Sequence, residues 1–395
     1  MKQKSEANII IAINAAKKIM IIFLGPFLTA YFIKTSAESM IDLSIYYIFS
    51  YILLGLGSII VATIIKNKFQ IGMFRIGVIT NFIYILSILI LRENIVNHLV
   101  IISILYGISS SAYWFPYNTF VINKIENSNR TAYTVKSKLV SQIIAIACPI
   151  VLGGIITATN FELTTIIVAI ISVIQIACSF MLKPDTKNNL PKFNLIKTWK
   201  EIWKNKQIKK MCLVEFFIGM NLSNGALETV MTILIFNSFK TNMNLGIITS
   251  ISSILTMICI KLYGKIYKKR DDKKLIVVSS IIPVITLIIL LFGRNNYTVI
   301  LYNFCYVIFT NILTLAREIR LFNLSDSYII KKENQSEFLS GREAILNLGR
   351  IVGYILLLIA GISKNDIVLN IVMVLLTLSI LATGLYTRQI DKFEN

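Results

Sequence analysis

The stretch Lys183–Lys210, KPDTKNNLPKFNLIKTWKEIWKNKQIKK, holds nine lysines and divides the chain into nearly equal parts. On either side the sequence is mostly apolar. A helix that crosses a bilayer needs about 20 consecutive, mainly apolar residues. Runs of that kind lie at roughly 10–33, 41–65, 72–91, 97–122, 138–159 and 163–182 before the lysine stretch. After it they lie at 210–237, 245–263, 275–292, 298–321, 343–362 and 366–387. The reading is an all-α integral membrane protein of about twelve spanning helices. Residues 1–182 form one six-helix bundle, 183–209 a basic cytoplasmic linker, and 210–395 a second six-helix bundle.

Composition agrees. Hydrophobic residues make up 55% of the 395 and charged residues 15%, with a mean hydropathy of +0.72. A soluble fold of this size carries about a quarter charged residues. The apolar content also excludes intrinsic disorder. Five scattered cysteines, an odd number, exclude a disulfide-stapled module. The net charge of +20 does not point to nucleic acid, because the basic residues fall between spanning runs. Connections after odd-numbered runs carry one cation each: Lys34, Arg92, Lys240, Arg294 and Lys364. Those after even-numbered runs are strongly basic. The positive-inside bias then places both termini and every even connection in the cytoplasm of a bacterial inner-membrane protein. Lys2 and Lys4 before an apolar run look like a signal peptide. No A-x-A-type site follows, so the run is read as a retained first helix.

Within the linker, Leu195, Ile196, Trp199, Ile202 and Trp203 recur at spacings of three and four, with lysines between them. This is an amphipathic helix suited to the headgroup layer, or simply a joint between the halves. A faint repeat relates the halves. Glu126-Asn127 and Glu333-Asn334 are 207 positions apart, and each precedes a helix ending in a small-residue pair, Gly153-Gly154 or Ala360-Gly361.

Twelve spans as six plus six, both termini inside and a long basic central loop resemble a major facilitator superfamily permease. Gly264-Lys265-Ile266-Tyr267-Lys268-Lys269-Arg270 resembles that family's signature between helices eight and nine, with Lys268 where the family has an acid. Asp271 and Asp272 follow. The first copy, Ala62–Lys68, keeps only the basic residues. Tyr113–Asn118 and Arg342–Arg350 are similar to stretches in a poorly characterised bacterial subgroup. The resemblance implies a fold of two rocking bundles and says little about substrate.

Ionisable groups inside spans are costly in lipid, so they mark candidate sites. Lys17 and Lys18 lie inside the first span, because residues 19–33 reach only about 22 Å at 1.5 Å per residue. They either snorkel to the inner headgroups or face the bundle interior. Glu215 and Glu228 lie in helix seven, the repeat mate of helix one. Glu215 is expected to neutralise Lys17 or Lys18, as a latch or as a proton site. Asn221, Asn224, Gly219 and Gly225 make helix seven polar and easily broken, as beside a substrate site. Arg350 is expected to be interior, with Glu318 as its partner. Arg317, Arg320 and Arg342 read as an inner gate or lipid contacts, although a cavity arginine can grip an anion by forked hydrogen bonds. Trp114, Phe115 and Tyr117 either wall a cavity or pack. Pro116 and Gly25-Pro26 are expected to kink their helices.

Enzymatic signals are absent from the sequence. His98 has no partners for catalysis or zinc, the cysteines lack ligand spacing, and there is no phosphate-binding loop. No cofactor or metal is expected, and a monomer is. The function expected is proton-coupled secondary transport of a small solute, with export of an amphipathic compound favoured by the aromatic helix-four segment and sparse cavity charge. The alternatives are a metabolite uptake permease, and a non-transporting partner or lipid-linked glycan flippase.

Overall fold

A computed structural model describes residues 2–67, 70–124, 127–183, 192–221, 225–269, 272–327 and 329–391. Among these there is no strand. The helices are α1 (Lys2–Ile22), α2 (Leu28–Thr35), α3 (Ser39–Asn67), α4 (Gln70–Leu91), α5 (Leu99–Lys124), α6 (Asn127–Ala158) and α7 (Phe161–Met181). After the short α8 (Leu195–Ile202) come α9 (Lys206–Asn221), α10 (Ala226–Phe239), α11 (Asn242–Lys269), α12 (Lys273–Phe292), α13 (Asn296–Asp326), α14 (Gln335–Ser363) and α15 (Asp366–Thr387). Ten described stretches are long and apolar enough to cross a membrane, and one of them, Gln70–Tyr117, contains both α4 and most of α5. The remaining rod is α9 followed by α10, each too short to cross alone.

The surface is that of a protein dissolved in lipid. Leu56, Ile60, Ile90, Ile143 and Ile359 are exposed, whereas Asn81, Gln175, Glu215, Asn221 and Arg320 are buried. Bilayer solvent reverses the usual distribution, because polar groups find partners only inside the bundle.

Two rods depart from regular α-helix. Between α1 and α2, residues Phe23–Phe27 form a π-helical turn containing Pro26. The wider turn absorbs the proline's missing donor, so this site is a π-turn within one rod. By contrast, α5 stays helical through Pro116. α9 is described to Asn221, and Gly225, just before α10, is extended (φ −76°, ψ 172°), which breaks the rod there. A Cβ at Gly225 would stand 2.7 Å from the Gly219 carbonyl and 2.8 Å from the Asn221 backbone, so only glycine fits there.

The first half meets the second along α3–α14 and α6–α11. We call the end holding both termini and α8 the terminal end, and the opposite one the far end. At the far end the halves touch repeatedly. α2 packs on α10, Gly153 lies against the Asn242 carbonyl, Gly361 lies against Ile41, and Lys364 pairs with Glu38 at 2.8 Å. Three far-end cations, Arg92, Lys240 and Lys364, have positive φ. Lys240 and Lys364 cap the ends of α10 and α14.

At the terminal end Lys66 of α3 donates to the Glu337 carboxylate (2.5 Å) and the Glu333 carbonyl (2.7 Å) of the second half. The linker joins this contact. Glu337 also accepts from the Asn194 amide, and Trp199 donates to the Glu337 carbonyl. Of the linker's apolar stripe, Ile202 is buried and Trp199 stacks on Phe338. Only Ile196 and Trp203 remain exposed. Most of the stripe expected to face headgroups therefore covers the start of α14.

Candidate functional site

A cavity of about 660 Å³ lies where the halves meet. Its lining runs from Leu339 near the terminal end to Thr29 and Thr232, and ends below the far-end contacts. The first half contributes α1–α3 and α5, the second α10, α11, α13 and α14. Seven lining residues are ionisable: Lys17, Glu228, Arg317, Glu318, Arg342, Glu343 and Arg350. The sparse cavity charge expected above is therefore not found.

On the second-half wall the charges form one network. Glu215, buried in α9, accepts a hydrogen bond from Arg342 Nε at 2.8 Å on one oxygen, while its other oxygen lies 3.4 Å from Arg317 Nε in an ion-pair contact without a hydrogen bond. Arg342 also meets Glu343 at 3.0 Å. Arg350 donates to Asn347 (2.8 Å), lies 3.6 Å from Glu343 and covers the Tyr51 ring. Two sequence expectations change here. Glu215 is held by arginines of α13 and α14 rather than by Lys17 or Lys18, because α9 packs on α14 while α1 packs on α6 and α7. Arg350 reaches Asn347 and Glu343, one and two turns back on its own helix, in place of the expected Glu318.

α9 comes this close to α14 through glycines. A Cβ at Gly349 would collide with the Phe216 carbonyl, and one at Gly219 with the Leu346 carbonyl. Small residues let membrane helices approach closely, and that approach puts Glu215 within reach of Arg342.

Lys17 does not snorkel. It is 3% exposed, donates to Asn81 Oδ1 at 2.8 Å and lies over the Tyr113 ring. Asn81 is oriented by Ser109, which donates to the same oxygen, and by Met20 sulfur beside its amide nitrogen. Lys18 is half-buried, within electrostatic reach of Glu228. Glu228, in the first turn of α10, and Glu318 both line the cavity. Trp114 lines it too, edge-on to Tyr113 and Tyr117. Tyr117 is buried against the Tyr133 hydroxyl. Asn221 is buried away from the cavity and binds Ser379 and the Phe217 carbonyl. Asn224 and Arg270 lie outside the described residues. Gly264, Lys268 and Lys269 fall in the last turns of α11.

Several residues were missed in the sequence. Tyr46, Tyr47, Tyr106 and Tyr354 line the cavity. Tyr47 stacks on Tyr354 across the two halves at 4.6 Å. The Tyr354 hydroxyl meets Thr229 (2.7 Å) and the Gly225 carbonyl (3.5 Å), and Tyr306 donates to the Asn221 carbonyl. Backbone carbonyls flanking the break in helix seven thus find tyrosines as partners. In the loop signature the working acid is Asp272. It takes two hydrogen bonds from fully buried Arg320 (2.9 and 3.0 Å) and one from Tyr263.

The sequence model of the Major Facilitator Superfamily matches residues 8–322. Uncharacterized protein YqgE of Bacillus subtilis (strain 168) is 23% identical over 346 residues, 86% of this chain and 79% of its own length. A mutant of the nucleoside transporter NupG superposes with a TM-score of 0.72 at 13% identity, covering 98% of this chain and 99% of that one. At that identity the likeness is one of fold.

Proposed function

We propose, from the premise that the chain belongs to the major facilitator superfamily, that this multi-pass membrane transporter moves a small solute by alternating access between its two six-helix halves. The observation that carries this is the cavity. It is lined by both halves, adjoins a discontinuous helix, and stops short of the far-end contacts. Discontinuous helices at the midplane are where secondary transporters bind solute. With the basic connections in the cytoplasm, the terminal end is cytoplasmic, and the contacts between the halves at the far end fit an inward-facing state. Coupling to protons fits the carboxylates that face the cavity, Glu228 and Glu318, better than Glu215, which is occupied by two arginines. Export of an amphipathic compound keeps the support of the aromatic helix-four segment, since Trp114 and Phe115 line the cavity, while the seven charged lining residues count against the sparse charge that also favoured it.

The test uses proteoliposomes exposed to a bacterial metabolite extract under a pH gradient, with uptake read by mass spectrometry. We expect saturable, gradient-dependent movement of at least one solute. A Glu38→Cys, Lys364→Cys protein bridged by a bis-thiol reagent should stop that movement. Absence of any solute flux, or flux unaffected by the bridge, refutes alternating access. Scrambling of a labelled lipid headgroup in the same vesicles would favour a flippase instead.

A further inference from the structure

The cations of the cavity differ in how they are neutralised. Arg342 has Glu215 and Glu343 on it, Arg317 has Glu215, and Arg350 has Glu343. Lys17 stands apart. Among the described residues its ammonium meets one amide oxygen, Asn81 Oδ1, and one ring face, Tyr113. The amide oxygen is shared with the Ser109 hydroxyl. Neither partner carries a charge. A buried cation in a membrane protein is normally paired, and a Lys left with neutral dipoles only is held by less than it gave up on leaving water. Lys17 nevertheless belongs to the wall of a cavity shared by both halves.

The surroundings of Lys17 define what could complete it. Trp114 stands edge-on to the Tyr113 ring that supports the ammonium. The wall also carries Tyr46, Tyr47 and Tyr106, together with Ser110 and Ser111. That wall suits a flat or hydroxylated body. A single negative group on such a body would supply the missing counter-charge.

We propose that the solute carried by this protein is an organic anion whose carboxylate or phosphate docks on Lys17, with its body against the tyrosine wall. The proposal takes its site from the transport reading above, and its test separates the two. Purified protein is melted in detergent with benzoate, 4-hydroxyphenylacetate or phenyl phosphate, each beside its uncharged amide or alcohol. The anions should raise the melting temperature and their neutral partners should not. Comparing carboxylates with phenyl phosphate tells which anion the site prefers. In the Lys17→Gln protein anion affinity should fall about ten- to a hundredfold, as for loss of a hydrogen bond to a charged group, and Lys17→Arg should retain most of it.

Stabilisation by neutral partners equal to that by the anions, affinity unchanged in Lys17→Gln, or no stabilisation by any anion overturns the proposal. The wild-type comparison decides the matter even where a Lys17 variant fails to fold. Lys17-dependent anion binding without flux in proteoliposomes would refute transport and leave this inference standing. Flux of a neutral or cationic solute, unaffected at Lys17, would do the reverse.

Discussion

Replacing Glu215 by glutamine tests whether this carboxylate holds the bundle together or carries protons. Its side chain and that of Arg317 are 1% and 5% exposed, so the pair is desolvated. Glutamine keeps one acceptor for Arg342 Nε, and Arg342 also keeps Glu343. Arg317 fares worse, because the group facing it changes from a carboxylate oxygen to an amide. Removing one partner of a buried ion pair costs about 3–5 kcal/mol. Unfolding entropy of about 2.1 cal/mol/K per residue, taken over 395 residues, is roughly 0.8 kcal/mol/K. The melting temperature should then fall by about 4–6 °C, and by more if helices persist in detergent and the entropy is smaller. Thermal unfolding of the purified protein measures this. Glu215→Gln combined with Arg317→Met, which removes the orphaned cation, should recover most of the loss, and the double-mutant cycle gives the coupling. In proteoliposomes, gradient-driven flux and solute exchange should decline together. A variant that melts within about 1 °C of the parent would refute the structural role, and one that keeps exchange while losing accumulation would show that Glu215 is a proton site.

Asp272→Asn should be comparably destabilising, by about 3–5 kcal/mol, since it strips the anion from Arg320 in a pair that is 0% exposed on both sides; Arg320→Met in the same protein should restore part of the melting temperature. Lys66→Met should leave Glu337 buried without its cation and loosen the linker docked on it, seen as faster limited proteolysis between residues 183 and 209 and a red shift of tryptophan emission. Unchanged proteolysis would mean that Trp199 and Ile202 hold the linker by themselves.

Much of the architecture was legible because the solvent writes it. Runs of spanning length and the alternation of basic connections follow from hydrocarbon thickness and the cost of moving cations across it. They gave the rods and the family without reference to packing. Depth was legible too: counting from the ends of the runs puts Lys17 and Arg350 inside, and both are buried. Pairing was not. Whether Glu215 meets Lys17 or Arg342 depends on which faces of α1, α9 and α14 point inward, and on how closely they pack. That closeness comes from Gly219 and Gly349, which in the sequence are ordinary glycines in apolar helices. The seam of Tyr47 on Tyr354 joins positions more than 300 residues apart, with no local pattern to announce it. That Asp272, just past the loop signature, pairs with Arg320 was not legible either, because Arg320 lies 48 residues further along the chain.

The two irregular rods show how the halves came to do different work. The π-turn at Phe23–Phe27 and the break at Asn221–Gly225 interrupt the first rod of each half, and both adjoin the cavity. In the first half the interruption is apolar and turns on Pro26, and the nearest buried charge, Lys17, has only neutral protein partners. In the second half the Asn221 carbonyl is bound by Tyr306, the Gly225 carbonyl accepts the Glu228 amide and the Tyr354 hydroxyl, and the charges beside it neutralise one another. A solute entering the cavity therefore meets one wall that is electrostatically complete and one that is not. Tyr354 touches both, stacking on Tyr47 of the first half while its hydroxyl holds the break in the second. Filling the incomplete wall would press on the same aromatic seam that must part when the halves rock, which gives solute binding a direct mechanical route to the far-end contacts.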